Sequence, residues 1–151
     1  MSVTEELASL FTIFHDGCIE NYKKEGVKLI LIISCKYLAE LIDPEFEYFY
    51  LELTEITLIE LETFKNIPNS EKTPIILTEP TEIFREEIDI YRAAINNGNI
   101  EVNCWQVNEG LNYIANCLRL NCKTYTICDH NTNVIDLELL ENLSAKYWSR
   151  F

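Results

Sequence analysis

The stretch that decides the fold is IDIYRAAINNGNIEVNC, residues 88–104 of a 151-residue chain. Asn97-Gly98 is a strong signal for a two-residue hairpin turn, because the favoured turn needs positive φ at both central positions. With this pair as the turn, one side of the hairpin is apolar throughout. That side carries Ile95, Ala93 and Tyr91 on the first strand, facing Ile100, Val102 and Cys104 on the second. We therefore predict a hairpin over residues 87–105.

The segment 81–95 has a second interpretation, because some of its apolar residues also recur at helical spacing. These residues are Phe84, Ile88, Tyr91 and Ile95. The hairpin signal that follows them favours a strand. A helix across residues 82–95 would contradict that choice.

On the N-terminal side, the sequence predicts a helix and then further strands. The helix spans residues 1–14, because apolar residues recur there at helical spacing and Ser2 with Glu5 forms a capping box. The apolar residues are Val3, Leu7, Leu10, Phe11 and Phe14. Strands follow at 18–24 and 27–35, and Asp43-Pro44 predicts an irregular segment at 36–46, since proline removes a ladder donor. Apolar alternation resumes at Phe49 and breaks after Glu55, which indicates a bulge or tight turn between two strands, or one long bent strand.

On the C-terminal side, the sequence predicts two more strands and a closing helix. A surface loop is expected at 65–80, where Pro68, Pro74 and Pro80 accompany Asn69 and Ser70. The two strands fall near 113–120 and 123–128, with a turn at 130–133. Asp136 caps the closing helix. The apolar face of that helix carries Leu140, Leu143, Tyr147 and Phe151.

This order of elements predicts an α+β fold, mostly antiparallel β, in a single domain over residues 1–151. Seven or eight strands form a sheet that is rolled or stacked on itself, with helices at the N- and C-terminal ends. The four glycines are far apart in the sequence. A glycine-rich phosphate loop is therefore absent, which excludes nucleotide-binding enzymes of the Rossmann and P-loop types.

The charge balance restricts the partners. The chain has 25 acidic and 12 basic residues, a net charge of -13. Nucleic acid and anionic membranes are disfavoured as partners, because both are bound through lysine and arginine. The longest apolar run, residues 29–33, is too short to span a membrane, and Glu5 and Glu6 have the wrong sign for a signal peptide. We expect a cytoplasmic protein of bacterial type.

The six cysteines are expected to be reduced and free of metal, because no CxxC motif occurs and no export signal is present. An alternative is a zinc site, although the spacing matches no standard zinc motif. Its ligands would be Cys117, Cys122, Cys128 and His130, with Cys104 nearby. We predict no metal and no cofactor.

The acidic residues are concentrated in residues 37–64, which contain eight of them and no lysine or arginine. Aromatic residues interleave with these acids, a combination suited to steering and anchoring a basic protein partner. The alternative is that the rings face the core and the acids face water. The candidate partner-binding residues are Tyr37, Glu40, Asp43, Glu45, Glu47, Tyr48, Tyr50 and Glu52.

His15-Asp16 is the second candidate site, as a turn that also offers a possible ligand-binding pair. The structural alternative is that His15 closes the C-terminus of the first helix and Asp16 bonds turn amides. No motif for a nucleophile accompanies the pair, so we assign no catalytic residue.

The string FHDGCIENYKKEGVKLILII, residues 14–33, resembles the opening of small bacterial proteins grouped with immunity protein 50 of polymorphic toxin systems. It covers about a seventh of the chain. The resemblance implies an acidic cytosolic antitoxin that occludes a basic toxin, often a nuclease, and it transfers no functional residue. The alternative is a small-ligand or metal-binding domain, possibly an enzyme, around His15, Asp16 and the Cys117 to His130 group.

Overall fold

A computed structural model describes residues 1–67 and 73–151 and confirms the α+β prediction. More of the described residues lie in strands than in helices, and a helix lies near each end of the chain. In chain order the elements are α1 Val3–Ile13, β1 Cys18–Glu25, β2 Lys28–Ser34, α2 Lys36–Ile42, β3 Phe49–Lys65, β4 Ile75–Leu77, α3 Pro80–Ile83, β5 Ile88–Asn96, β6 Asn99–Asn108, β7 Tyr113–Cys128 and α4 Leu137–Trp148.

The sheet is rolled on itself. Its strand order is β2-β1-β5-β6-β7-β3-β4, and an additional β2–β3 pairing closes six of the strands into a ring. All of these pairings are antiparallel, and β4 lies outside the ring on β3. The β1–β5 contact is the shortest pairing in the ring, with only Cys18 opposite Asp89 and Ile19 opposite Ile88.

The core lies between one face of the sheet and α1. Leu7, Leu10 and Phe11 of α1 are fully buried, and the helix packs on β5, β6 and β7. The Ser2 half of the predicted capping box forms, since the backbone N–H of Glu5 donates to Ser2 Oγ at 3.2 Å, and Glu5 Oε1 accepts from the Ser2 hydroxyl at 3.2 Å. No helix in residues 1–67 and 73–151 is both long and apolar enough to cross a membrane.

The predicted hairpin at Asn97-Gly98 is confirmed, with one change of register. Ile95 pairs with Ile100 and Ala93 pairs with Val102, as expected. A bulge then places Ile90, rather than Tyr91, opposite Cys104. Tyr91 is consequently exposed, and the first residues of segment 81–95 belong to α3 instead of the strand.

One strand prediction was wrong about where strands end. β7 runs without a turn through residues 121–122, because it stays paired with β3 there, with Ile56 opposite Cys122 and Leu58 opposite Asn121. For the stretch that begins at Phe49, the alternative of one long bent strand is confirmed as β3, with Glu55 at φ 54°. A short strand, β4, also interrupts the expected loop at 65–80. Pro68, Asn69 and Ser70 of that loop lie outside the described residues.

The helices also differ in detail from the prediction. Residues 36–42 form α2 where an irregular segment was expected, because Leu38 and Ala39 bury one side of this turn of chain. The helix ends at Asp43, since the residue before a proline disfavours the α conformation. At the other end, Asp136 caps α4 as predicted, but Phe151 lies beyond the helix and is 86% exposed.

Candidate functional site

The turn at residues 14–17 depends on a left-handed residue and a glycine. Asp16 has φ 64°, a conformation that aspartate tolerates better than most residues. A Cβ on Gly17 would lie 2.7 Å from the carbonyl oxygens of both Phe14 and Ser34. The turn is held to β5, because the backbone N–H of Asp16 donates to the carbonyl of Ile90 at 3.0 Å. Only glycine fits this close approach.

His15 closes α1 and also joins a group of rings. Its Nδ1 lies 2.8 Å from the carbonyl oxygen of Thr12, and since a carbonyl only accepts, Nδ1 carries the proton. This contact agrees with the helix-closing interpretation. The imidazole centroid lies 4.8 Å from the ring of Trp148 and 5.3 Å from the ring of Tyr37. His15 therefore orients an aromatic surface as well as ending the helix.

Tyr37 connects three elements. Its hydroxyl donates to the carbonyl of Ile13 in α1 and lies 3.1 Å from Ser144 Oγ in α4. The single phenolic proton goes to Ile13, so Ser144 donates to Tyr37. Burial raises the pKa of Tyr37, partly offset by the bond to Ser144. The phenol of Tyr37 is thus neutral, and its two hydrogen bonds hold it in a fixed position.

Asp16 and Tyr37 line a surface cavity of about 300 Å³ that we call the aromatic pocket. Among the described residues that line it, the carboxylates are Asp16 and Glu40 and the one cation is Lys36, whose Nζ lies 4.0 Å from Glu40 Oε1. Both partners of this ion pair are largely exposed, so it contributes little stability. Among the described residues, no hydrogen bond engages the carboxylate of Asp16. The pocket is lined by Asp16, Lys36, Tyr37, Glu40, Tyr147 and Trp148.

The ring of Trp148 remains accessible. Trp148 is 39% exposed, and its ring meets Tyr147 edge-on with centroids 5.0 Å apart. Tyr37 and Tyr147 pack 5.1 Å apart. The result is a wall of touching rings with two carboxylates at its rim, the combination that attracts a cation to the face of an aromatic ring.

The structure brings together four of the ten predicted site residues, His15, Asp16, Tyr37 and Glu40, and places the others elsewhere. Asp43 ends α2, where its Oδ1 accepts from the N–H of Glu45 at 2.9 Å. Asp43, Glu45 and Glu47 are exposed, which agrees with the acids-to-water alternative as well as with a binding surface. The remaining three, Tyr48, Tyr50 and Glu52, are half-buried.

More of the acidic residues in segment 37–64 are neutralised by basic side chains than the sequence indicates. Arg119 of β7 lies across β3 and bonds both Glu60 and Glu62. Lys123, also of β7, lies with Nζ 3.0 Å from Glu55 Oε2. Three of the eight acids are therefore ion-paired by bases that are distant in the sequence.

The cysteines do not form a metal site in the described part of the chain. All six are free thiols, and no group of three or more His, Cys, Asp and Glu side chains in residues 1–67 and 73–151 could hold a metal ion. Burial raises the pKa of Cys35 and Cys104 to about 12. The set that contains Cys117, Cys122, Cys128 and His130 is thus not brought together.

Sequence reasoning missed Lys36, Tyr147 and Trp148 as lining residues. The consecutive Tyr147 and Trp148 close α4 within KYW, and adjacent side chains on a helix point about 100° apart, so one of the two rings is expected to turn toward the edge of the apolar face. That signal predicts a partly exposed ring near the C-terminus, but it does not say which residues lie opposite.

Comparison with models of known protein families, with curated proteins and with solved structures finds no match for this chain.

Proposed function

We propose that this protein is an acidic, cytoplasmic binding module of immunity type, whose aromatic pocket receives a lysine or arginine side chain of a basic protein partner. The observation that carries the proposal is the pocket itself, in which Asp16 and Glu40 border the rings of Tyr37 and Trp148. The resemblance of residues 14–33 to immunity proteins supports the same interpretation.

The chemistry of the pocket favours a cation. An ammonium or guanidinium over an aromatic face gains about 0.5–1 kcal/mol when exposed and about 2 kcal/mol when desolvated. The two carboxylates outnumber Lys36, so the rim keeps an excess negative charge. Beyond the pocket, the net charge of -13 attracts a basic partner over longer distances and raises its association rate.

A fluorescence titration tests the pocket. The chain contains two tryptophans, so a Trp105→Phe variant leaves Trp148 as the single indole reporter. A Gly-Arg repeat peptide should change the emission of Trp148, whereas a Gly-Glu repeat peptide of the same length should not. Asp16→Asn and Glu40→Gln should each weaken binding by about two- to fivefold, the range for single exposed ion pairs.

The matched control is Glu109→Gln, which removes one exposed carboxylate from the turn between β6 and β7. It should leave the affinity within about twofold of the parent, since residue 109 does not line the pocket. Equal losses of affinity for Asp16→Asn and Glu109→Gln would show that binding depends only on the net charge of the protein. That result would contradict a specific pocket.

The immunity role is tested with the protein encoded immediately upstream of this gene. We expect its C-terminal domain to be basic and to bind this chain with an association rate that falls as salt is added. Replacing Glu45 and Glu47 with lysine should slow association and flatten that salt dependence, with little change in stability. An association rate that changes neither with salt nor on the two substitutions would refute the proposal that negative charge steers the partner to this chain.

A further inference from the structure

A second cavity lies on the face of the sheet that points away from the core. Its volume is about 420 Å³, within the usual range for small-molecule sites, about 300–1,000 Å³. Four strands that are neighbours in the sheet line it, in the order β5, β6, β7 and β3. We call it the outer cavity. Its principal lining residues are Glu62, Tyr91, Asn103, Trp105, Asn116 and Arg119.

The pairing of the strands sets the polar side chains of the cavity on this one face. Asn103 of β6 lies opposite Cys117 of β7, and Cys117 lies opposite Glu62 of β3. The next outward-facing pair along β6 and β7 is Glu101 opposite Arg119. Residues directly opposite each other in a ladder point to the same side of the sheet. Cys117 is buried at the centre of this set and forms the floor of the cavity.

Three irregularities of strand pairing meet at the outer cavity. A bulge leaves Tyr91 of β5 without a partner on β6, and another leaves Trp105 of β6 without a partner on β7. The β3–β7 register also shifts directly after Glu62. Bulges are over-represented next to active sites, where they re-aim side chains. Here two of them accompany the aromatic side chains that line the cavity.

Tyr91 and Trp105 give the cavity two accessible aromatic rings. Tyr91 is 53% exposed and Trp105 is 39% exposed. Within residues 1–67 and 73–151, neither ring packs against another aromatic ring. The electron-rich face of such a ring attracts C–H groups. A pyranose ring presents C–H groups on its flat faces, so each of these aromatic rings can stack on a sugar.

The polar side chains of the cavity are planar and have unused hydrogen-bonding groups. In the part of the chain that the structure describes, the side-chain amides of Asn103 and Asn116 form no hydrogen bond. Each amide offers two N–H donors and an acceptor oxygen. Arg119 has five N–H donors, and one goes to each of its three glutamate partners, which leaves two. Because a hydroxyl both donates and accepts, neighbouring hydroxyls match these planar groups two at a time.

The charge of the cavity favours an uncharged ligand. Glu62 and Glu101 outnumber Arg119 among the lining residues, so the cavity repels a phosphate or a carboxylate. A cation is attracted less here than in the aromatic pocket, because both of these carboxylates already bond Arg119. Burial raises the pKa of Cys117 to about 11, so the floor is neutral at pH 7 as well. The best match is a neutral ligand that is rich in hydroxyls.

We propose that the outer cavity binds a neutral mono- or disaccharide, which stacks on Trp105 and Tyr91 and whose hydroxyls bond Asn103, Asn116 and Arg119. This site goes beyond the proposed function and is independent of it. The outer cavity and the aromatic pocket share no lining residue.

Nuclear magnetic resonance on the full chain tests the proposal, with maltose, cellobiose, lactose and N,N′-diacetylchitobiose as probes. The two tryptophans give two indole N–H signals, and Trp105→Phe identifies the signal of Trp105. At least one sugar should shift the Trp105 signal saturably and leave the Trp148 signal in place. The affinities of the sugars should differ by about threefold or more, because one lost hydrogen bond weakens binding by about that factor.

The same titrations can overturn the site. No saturable shift with any of the four disaccharides would do so. Equal shifts with every disaccharide and with glycerol would also do so, since they would reflect the changed solvent and not a fitted ligand. A Gly-Arg repeat peptide that shifts the Trp105 signal at a lower concentration than every sugar would assign the cavity to a cation instead.

Substitutions separate stacking from hydrogen bonding, with the affinity for the tightest-binding sugar measured by calorimetry. Trp105→Ala should weaken binding by about tenfold, and Trp105→Phe, which keeps a ring, should weaken it less. Val107→Ala is the matched control, because Val107 is exposed on the same face of β6 and does not line the cavity. Equal effects of Val107→Ala and Trp105→Ala would overturn the stacking assignment.

The hydrogen-bonding assignment has its own pair of variants. Asn103→Ala should weaken binding by about fivefold. Asn131→Ala is the matched control, because it removes an exposed amide in the turn after β7, outside the cavity. Equal affinities of Asn103→Ala and Asn131→Ala would overturn the assignment of Asn103 to the ligand.

Discussion

Replacing Arg119 with methionine should destabilise the fold by leaving three carboxylates without their shared cation. The guanidinium Nε lies 3.3 Å from Glu101 Oε2, and Nη1 lies 3.4 Å from Glu60 Oε1. The Nη2 atom bonds Glu62. The methionine keeps much of the aliphatic volume of arginine, so the change isolates the loss of charge.

The size of the effect follows from the burial of the cluster. The side chain of Arg119 is 28% exposed, and the three glutamates are 20–28% exposed. Removing one partner of a buried ion pair costs about 3–5 kcal/mol, and exposed pairs contribute about 0.2–1 kcal/mol. We expect an intermediate loss of about 2–3 kcal/mol in the free energy of unfolding. The melting temperature should fall by about 4–12 °C.

Urea denaturation at two salt concentrations provides the assay. In the variant the three carboxylates lie close together without a cation and repel one another, and added salt screens that repulsion. The stability deficit of Arg119→Met should therefore be largest at low salt and shrink as salt is added. Adding Glu62→Gln and Glu101→Gln to the variant should recover at least half of the loss at low salt.

Arg92→Met is the control, because Arg92 is exposed on β5 and has no ion pair among the described residues. Its expected cost is below about 0.5 kcal/mol, as for other surface substitutions. If Arg119→Met costs no more than Arg92→Met, or if its deficit is the same at both salt concentrations, the electrostatic argument for this cluster is wrong.

Two further predictions concern the turn and the thiols. Gly17→Ala should lower the free energy of unfolding by about 3 kcal/mol or more in urea, because its Cβ would contact the carbonyls of Phe14 and Ser34 at 2.7 Å; a loss below about 1 kcal/mol would show that the turn can widen. Burial raises the pKa of Cys35 and Cys104 from 9.0 to about 12. Their contribution to stability is full below pH 9 and is lost as the pH rises toward 12, by about 1.4 kcal/mol per pH unit for each thiol. Urea midpoints should fall accordingly between pH 9 and 11, and less steeply in Cys104→Ala; a flat profile would contradict this.

The sequence by itself determined the features that depend on neighbouring residues. Asn97-Gly98 specified its hairpin, and Ser2 and Asp136 specified where two helices begin, because turn dihedrals and caps involve atoms only a few residues apart. The apolar alternation in β6 likewise predicted which of its side chains face the core. These signals were sufficient for the α+β class and for a mostly antiparallel sheet, but they left open whether that sheet is rolled or stacked on itself.

Only the tertiary structure decided where strands continue and how the acidic residues are compensated. β3 and β7 run past the points at which local parity breaks, because each is paired along its length with the other. The same pairing sets Arg119 opposite Glu60, 59 residues away in the chain. A segment that contains no lysine or arginine can therefore still be partly neutralised by a neighbouring strand.

The candidate site was likewise predictable only in part from the sequence. Asp16 and Tyr37 were identifiable from residue type and local pattern, but their grouping with Trp148 depends on α4 packing beside α1 and α2. The hydroxyl of Tyr37 meets Ser144 across 107 positions of sequence. Contacts of that kind arise from burying the apolar faces of whole helices together, and no short stretch of sequence contains both partners.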